Sequence, residues 1–538
     1  MKREKSNILS RRPESIIFML LIGLVSVLLN FTFSHNSFAE YKATLSASVN
    51  ENTAAIDGTE VIESSDETAE HNINLKVKTT NKTGYTATIS SKTEETALLN
   101  TNPAINTKIN SISSTYSLAN FPANTWGYRF DDDVDFSPIP ALSAPVNLIK
   151  TTEKSTSEEN HTIKLGMKLN SSLKPGNYEN KLIISVVSNP YTPKAVMTEG
   201  TDFNEKLKAL ETATNKIEHF KKSTVAPATS MNTVNIEDKE SDYEIKLWLD
   251  PADKTAYYYA ETEKVYLNTD SIGMFHREDY EEKIKDILEL DFSNLDTSQV
   301  TNMGSMFYGM RSLTALDLSN FDTSKVTVMG AMFYGMRSLT ALDLSNFDTS
   351  KVTDMQYMFS GMSSLTTFNL SSFDTSKVTD MQYMFSGMSN LTSLNLSNFD
   401  TSNVTNMDSM FSGMSNLTSL NLSNFDTSNV TDMDYMFYDM YNLTTLDLSN
   451  FDTSKVTGMY DMFSLFSQDI SKDKLETIYV NNDFNTSKLG YSSGMFENRK
   501  KLRGGNGSYL ADPSTADKTW LRIDDPANGR PGYFTRKP

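Results

Sequence analysis

Hydrophobic residues recur every 26 positions through the second half of the chain. In each period an apolar-x-apolar pair is followed by a third buried position, which is Leu295 in the first period and phenylalanine in the others. Valine, methionine and phenylalanine then recur at about three- or four-residue spacing. This period is typical of a leucine-rich solenoid, in which stacked coils bury each other's apolar edges. The first residue of the pair can be followed through seven periods: Leu290, Leu316, Leu342, Phe368, Leu394, Leu420 and Leu446.

One period shows the coil that this pattern predicts. Leu394 and Leu396 would point inward from a short strand, and Asn395 would point outward between them. Asp400 begins a turn, and the spacing of apolar residues over 404–414 predicts a helical or 3₁₀-like return leg. The strands of neighbouring coils would form a parallel ladder at a spacing of about 4.8 Å. We therefore predict a capped leucine-rich-repeat-type solenoid of about seven to eight coils.

The first half of the chain has a different period. Apolar residues alternate with polar ones over 73–77 and 85–89, with turn residues at 81–84 between them, which predicts a β-hairpin. Further alternating segments follow, separated by turns. The fold class predicted for the whole chain is thus β-rich plus repeat solenoid, with an N-terminal β-sandwich-like domain over residues 40–190.

The remaining boundaries follow from changes in these patterns. An amphipathic helix and a polar stretch predict a helical linker over residues 191–240. Residues 241–285 are predicted to cap the start of the solenoid, residues 286–474 to hold the 26-residue repeats, and residues 475–538 to cap its end.

The N-terminus has the pattern of a signal peptide. Basic residues precede an apolar run of 14 residues, 16–29, and small residues follow at Ser37 and Ala39. The run is shorter than the roughly 20 residues that span a bilayer, so we predict a signal peptide over residues 1–39 that is cleaved after Ala39. An uncleaved signal anchor is the alternative. We expect membrane contact only through this segment, and a secreted or cell-surface protein.

Composition narrows the chemistry. Acidic residues outnumber basic ones 68 to 49, which gives a formal charge of -19 and disfavours nucleic acid as a partner. Cysteine is absent, and there are only five histidines. Disulfides, thiolate metal sites and cysteine nucleophiles are thus excluded. The methionines are spaced as one internal face, so core filling is a better interpretation than a copper site.

An aspartate precedes Thr-Ser in every period. Stacked carboxylates repel each other, which makes calcium one hypothesis, but turn amides that donate to each carboxylate are the better explanation. We therefore assign no metal, no cofactor and no catalytic residue. Equivalent environments in every coil also disfavour an enzyme, which needs one site with distinct acid and base groups. These aspartates are Asp296, Asp322, Asp348, Asp374, Asp400, Asp426 and Asp452.

Binding is the chemistry that remains. The outward positions of the predicted strands form a polar strip, which we call the Asp/Asn strip. It could bind an extended protein or glycan, or it could simply be solvated, because it is monotonous and lacks aromatic anchors. These ligand-binding candidates are Asp291, Asp317, Asp343, Asn369, Asn395, Asn421 and Asp447.

The phrase LSNFDTSKVTDMQYMFSGMSSLT and its siblings resemble the 26-residue repeat of BspA-like leucine-rich repeat surface proteins of bacteria. The resemblance covers about residues 240–537. It implies an exported surface protein that binds ligands on host or neighbouring cells, often as an adhesin. One departure is that the chain reaches Pro538 without a Leu-Pro-x-Thr-Gly sorting signal, so wall attachment by that route is not expected.

The sequence therefore predicts a non-enzymatic, exported bacterial protein that binds an extracellular protein or glycan. A structural spacer that projects another part from the cell is the alternative. A carbohydrate-active enzyme is less favoured.

Overall fold

The computed structural model describes residues 16–25, 43–50, 53–58 and 67–538. The chain divides into two compact units, which contain Tyr41–Thr192 and Pro193–Pro538. Of the predicted signal segment the structure describes only Ile16–Val25, and the predicted cleavage position after Ala39 lies outside the described residues. No helix in the described ranges is both long enough and apolar enough to cross a membrane.

The first unit is built from strands. A 3₁₀ turn at Leu118–Asn120 is its helical element within the described residues. The strands are β1 (Ile16–Val25), β2 (Leu45–Val49), β3 (Thr53–Gly58), β4 (Glu67–Thr79), β5 (Tyr85–Ser91), β6 (Leu98–Asn100), β7 (Lys108–Ser111), β8 (Thr125–Phe130), β9 (Val146–Lys150), β10 (Glu159–Leu169) and β11 (Tyr178–Ser188).

The pairing of these strands differs from the prediction. Hydrogen bonds connect them into one sheet with the order β2-β4-β10-β8-β7-β6-β11-β1-β3, and β5 joins β11 to β9. The sheet is therefore continuous rather than the two sheets of a sandwich. The hairpin predicted from 73–77 and 85–89 is also wrong, because β4 pairs with β10 and β2 whereas β5 pairs with β11 and β9. Apolar residues on alternate positions, such as Ile73 and Ile89, are buried as the period-two pattern predicted.

The second unit begins with short strands and one helix. Helix α1 spans Gly200–Leu210, and Phe203 from this helix packs edge-to-face on Phe220 and on Phe275. Residues that sequence placed in a linker thus belong to the core of this unit. The strands before the repeats are β12 (Ala195–Val196), β13 (His219–Lys222), β14 (Val234–Asn235), β15 (Lys246–Asp250), β16 (Thr255–Tyr259) and β17 (Val265–Tyr266).

Five strands lie within or after the repeats. They are β18 (Glu289–Leu290), β19 (Leu295–Asp296), β20 (Thr445–Asp447), β21 (Thr477–Val480) and β22 (Phe534–Arg536). The second unit contains three sheets, ordered β12-β17-β19, β14-β15-β16-β13-β18 and β20-β21-β22. Four 3₁₀ turns follow the repeats, at Ser467–Lys472, Pro513–Thr515, Lys518–Trp520 and Pro526–Asn528.

The predicted leucine-rich-repeat-type solenoid is wrong. Between β19 and β20 no strand forms, so the ladder of leucine strands that defines that architecture is missing from residues 297–444. The return leg predicted over 404–414 is a series of turns rather than a helix. Successive repeats are instead joined by isolated parallel bridges on the other side of the core, as at Asp380↔Asn406 and Asn406↔Asp432.

The repeats pack around a column of phenylalanine rings. Phe359, Phe385 and Phe411 are fully buried, and their ring centroids lie 6.0 Å apart in nearly parallel planes. The column continues in both directions, from Phe275 to Phe496. Phe359 also contacts Phe368 at 4.6 Å across the core. The leucine segments and the bridged segments are thus opposite walls of this array, which we call the leucine wall and the ladder wall.

Candidate functional site: the tyrosine face

The backbone of the ladder wall alternates between two kinds of hydrogen bond. The N–H groups of Tyr383, Phe385 and Gly387 donate to carbonyls of the following repeat at 2.9, 3.0 and 2.7 Å. Met384 and Ser386, between them, donate instead to the carbonyl three residues earlier at 3.2 and 3.1 Å. Every second residue thus joins two repeats, and the residues between them close tight turns.

A left-handed residue makes this alternation possible. At one ladder-wall position φ is positive in each of seven repeats, although none of these residues is glycine: Ser305, Ala331, Tyr357, Tyr383, Ser409, Tyr435 and Asp461. That conformation costs a non-glycine residue roughly 1 kcal/mol or more. The backbone hydrogen bonds on either side of this residue hold it in that conformation.

Aromatic side chains collect on the outside of the ladder wall. Tyr308 and Tyr334 stack with ring centroids 4.4 Å apart, and Tyr357 and Tyr383 stack at 4.6 Å. His276 stacks on Tyr308 at 4.4 Å. Beyond a gap of one repeat, Tyr435 meets two further tyrosines edge-to-face. We define the tyrosine face by these residues: His276, Tyr308, Tyr334, Tyr357, Tyr383, Tyr435, Tyr438 and Tyr460.

Aromatic rings stack more closely on this face than elsewhere in the repeats. Ring centroids are 4.4–4.6 Å apart for the stacked tyrosines, 6.0 Å for Phe359 and Phe385 in the core, and 6.4 Å for Phe321 and Phe347 at the leucine wall. The tyrosine face thus holds the closest ring stacking of these three positions.

The charge on this face changes along the array. Near its C-terminal end lie Asp408, Asp432, Asp434 and Asp461, and none of them has an ion-pair partner among the described residues. Burial, and then repulsion from Asp432, Asp408 and Asp461, raises the pKa of Asp434 to about 6. Burial likewise raises the pKa of Tyr435 to about 12. This end of the face thus holds carboxylates whose negative charge is not compensated.

The N-terminal end of the face carries arginines instead. Arg311 and Arg337 occupy one position in adjacent repeats, beside Tyr308 and Tyr334. Burial, and then repulsion from Arg337 and Arg277, lowers the pKa of Arg311. The two ends of the tyrosine face therefore differ in charge, although the backbone repeats.

The Asp/Asn strip lies on the leucine wall. Five of its residues are exposed, and Asp291 and Asp447 are half-buried. Each side chain accepts a hydrogen bond from the backbone N–H two residues later, as at Ser397 N–H to Asn395 Oδ1, 3.1 Å. Asp447 also pairs with Lys537 at 2.5 Å. The strip thus closes a turn in every repeat.

The aspartates that precede Thr-Ser make the same kind of turn. Asp400 Oδ1 accepts from the Ser402 N–H at 2.9 Å. In the equivalent turn at Asp348, hydrogen bonds from the side chain of Ser350 and then from its N–H lower the pKa of the carboxyl group. Across the described ranges, no group of three or more histidine, aspartate or glutamate side chains is placed to hold a metal ion. These carboxylates therefore have partners in the turn amides.

Sequence reasoning missed the tyrosine face although a signal was present. The positions equivalent to Asp408, Ser409 and Ser412 differ from repeat to repeat, while the leucine and phenylalanine positions barely change. When residue types vary between repeats at only a few equivalent positions, those positions indicate a surface whose side chains are not constrained by packing. The sequence pattern predicts the outward face at the Asp/Asn strip, which has no aromatic side chains.

A family model matches the repeat region. It is described as "Mycoplasma protein of unknown function, DUF285", and it matches residues 270–394 and 389–509. The chain resembles this family over its repeats. A search of curated proteins found no match. The DUF285 match includes every residue of the tyrosine face, and its description carries no activity. The resemblance to BspA-like proteins stays a prediction.

Proposed function

We propose that this protein is a non-enzymatic, exported surface protein that binds an extracellular protein or glycan through the tyrosine face. The observation that carries the proposal is the concentration of half-buried aromatic side chains on the outside of the ladder wall. Tyrosine is enriched at binding hot spots because it combines apolar area with a hydroxyl group and loses little entropy on ordering.

The distribution of variable positions supports the same surface. Side chains on the tyrosine face differ between repeats, whereas those of the Asp/Asn strip are largely alike. A specificity-determining surface needs such differences. The repeated arrangement also argues against catalysis, because successive repeats offer similar environments to any acid or base. Many weak contacts along the face would add to a useful affinity.

The experiment uses substitutions that the protein already makes elsewhere. Serine stands at the position of Tyr308 and Tyr334 in four other repeats, at Ser360, Ser386, Ser412 and Ser464. The Tyr308→Ser/Tyr334→Ser variant should therefore fold, and we expect its adhesion to cells or matrix to fall about tenfold or more. The matched control is Asn395→Ser/Asn421→Ser on the strip, where serine can still accept the turn bond and adhesion should be retained.

A structural spacer is the second candidate, and the buried phenylalanine column favours it, because stacked rings through all repeats stiffen the array. If the array is only a spacer, adhesion should not depend on Tyr308 and Tyr334. Retention of adhesion by the tyrosine variant at wild-type melting temperature would therefore favour the spacer and contradict the proposal.

Export is tested separately. N-terminal sequencing of the protein recovered from outside the cell should begin at Glu40. A retained Met1 would support the uncleaved anchor instead.

A further inference from the structure

Three guanidinium groups gather at the N-terminal end of the tyrosine face. Arg277, Arg311 and Arg337 come from successive coils, and burial, followed by repulsion from Arg337 and Arg277, lowers the pKa of Arg311. Such a cluster is unexpected on a chain with a formal charge of -19. It costs electrostatic free energy unless an anion compensates it.

The hydrogen-bonding capacity of the cluster is only partly used. Arg277 is 7% exposed, and its Nε has no hydrogen-bond partner among the described residues. The Nε of Arg311 is also buried and without a partner in that part of the chain. Buried N–H groups that stay unpaired are rare in folded proteins, and each unmade bond costs about 1–3 kcal/mol.

One carboxylate already sits between two of these arginines. Asp279 pairs with Arg311, and its Oδ2 lies 4.0 Å from Nη2 of Arg337. Its side chain is 60% exposed, and that of Arg337 is 56% exposed. The pair of arginines thus has the geometry to bind a carboxylate, and solvent can reach the position that the carboxylate of Asp279 occupies.

We propose that Arg311 and Arg337 bind the acidic group of an extracellular glycan, a carboxylate or a sulfate, which displaces Asp279 while the sugar lies along Tyr308 and Tyr334. Guanidinium groups bind such oxyanions with short, charge-assisted hydrogen bonds. This inference rests on the proposed function and names the ligand class at one end of the same face.

A glycan fits this surface better than an acidic polypeptide does. Polypeptide partners usually anchor an apolar side chain in a pocket. This end of the face offers instead a row of stacked rings with tyrosine hydroxyl groups. A row of half-buried ring edges with hydroxyl groups suits a polymer of hydroxyl-rich rings.

The test measures binding of the full-length protein to four probes: heparin, hyaluronan, a neutral chitin oligosaccharide and poly-glutamate. We expect binding to heparin, to hyaluronan or to both, weakening as salt rises, and at least about tenfold weaker binding to the other two. Heparin alone would indicate sulfate as the acidic group, and hyaluronan would indicate carboxylate. Preference for poly-glutamate would overturn the choice of a glycan, and equal binding of the chitin oligosaccharide would overturn the role of charge.

Two variants decide whether these residues are responsible. Serine occupies the position of Arg311 and Arg337 in Ser363, Ser389 and Ser415, so Arg311→Ser/Arg337→Ser should keep the fold and lose about tenfold or more in affinity. Asp279→Asn should bind several-fold more tightly, because the competing carboxylate is gone. Unchanged affinity in both variants would refute this inference, whereas loss of adhesion only in the tyrosine variant would leave the proposed function standing without it.

Discussion

At the scale of single residues, aspartates of similar appearance differ in how they affect stability. Asp317 accepts the Ser319 N–H in an exposed turn, and this bond lowers its pKa. Asp434 is partly buried beside other carboxylates, and its pKa is raised to about 6. A lowered pKa means that the charged form favours the folded state, and a raised pKa means that it opposes folding.

The pH dependence of Asp434→Asn tests this difference. Because the folded-state pKa exceeds the unfolded value of 3.8, the charge of Asp434 destabilises the protein above pH 6, and stability is regained as pH falls from 6 towards 4. After allowance for solvent screening, the variant should gain about 1 kcal/mol at pH 8 and little at pH 4. Melting curves across this range provide the measurement.

Asp317→Asn is the control for that experiment. Its carboxylate has a lowered pKa, so the charged form contributes stability above pH 4 and loses it as the pH falls. The substitution should bring no gain at pH 8. Equal gains in both variants would show that net charge, rather than burial of Asp434, is responsible.

At the scale of the structural element, one buried threonine joins each pair of repeats. Thr401 is fully buried, its hydroxyl donates to the Asp426 carbonyl at 2.9 Å, and its oxygen accepts the Asp426 N–H at 2.8 Å. The same two bonds recur from Thr297 to Thr427. This side-chain bridge joins the repeats next to the leucine wall, where backbone pairing fails.

Thr401→Val should therefore destabilise the array more than its loss of one hydroxyl group suggests. The change leaves a buried donor and a buried acceptor on Asp426 without a partner, which costs about 1–3 kcal/mol. Thr401→Ser keeps both bonds and should cost less. Urea denaturation of the two variants measures the difference, and a valine variant as stable as the serine variant would contradict the role of the bridge.

The element scale also explains what sequence could and could not predict. Periodicity identified the repeat and its buried methionines and phenylalanines, because burial alone decides which residue types those positions accept. It placed the ladder on the wrong wall, since Leu394-x-Leu396 alternates as a strand does. The true ladder contains residues in the left-handed conformation, such as Tyr383. Because these residues are not glycines, the sequence does not indicate their conformation. Which segments pair depends on contacts between successive repeats, and the sequence of one repeat does not show these contacts.

At the scale of the whole chain, the end of the array is closed by a buried ion pair. Arg499 is 1% exposed and pairs with Asp473 at 2.8 Å, and its guanidinium donates to carbonyls of Phe463 and Met440. These contacts connect the last repeats to the segment that follows them. The side chain of Arg499 thus covers the C-terminal end of the array, which would otherwise need a further apolar coil.

Removing one partner of this pair should be costly. Arg499→Met leaves the Asp473 carboxylate buried without its counter-charge, and we expect a loss of about 3–5 kcal/mol in the free energy of unfolding. Arg503→Met, on an exposed side chain of the same segment, is the control and should change little. Denaturation and limited proteolysis measure both, and similar behaviour of the two variants would show that the pair does not close the array.

The same threonine bridge joins each repeat to the next from Thr297 to Thr427. Deleting or duplicating one repeat-length unit of DNA would join two ends that already match, so the protein could become longer or shorter without a new interface. Copies of the gene in related lineages are then expected to differ by whole numbers of units. Their ends, where Arg499 and the N-terminal strands lie, should be inherited intact.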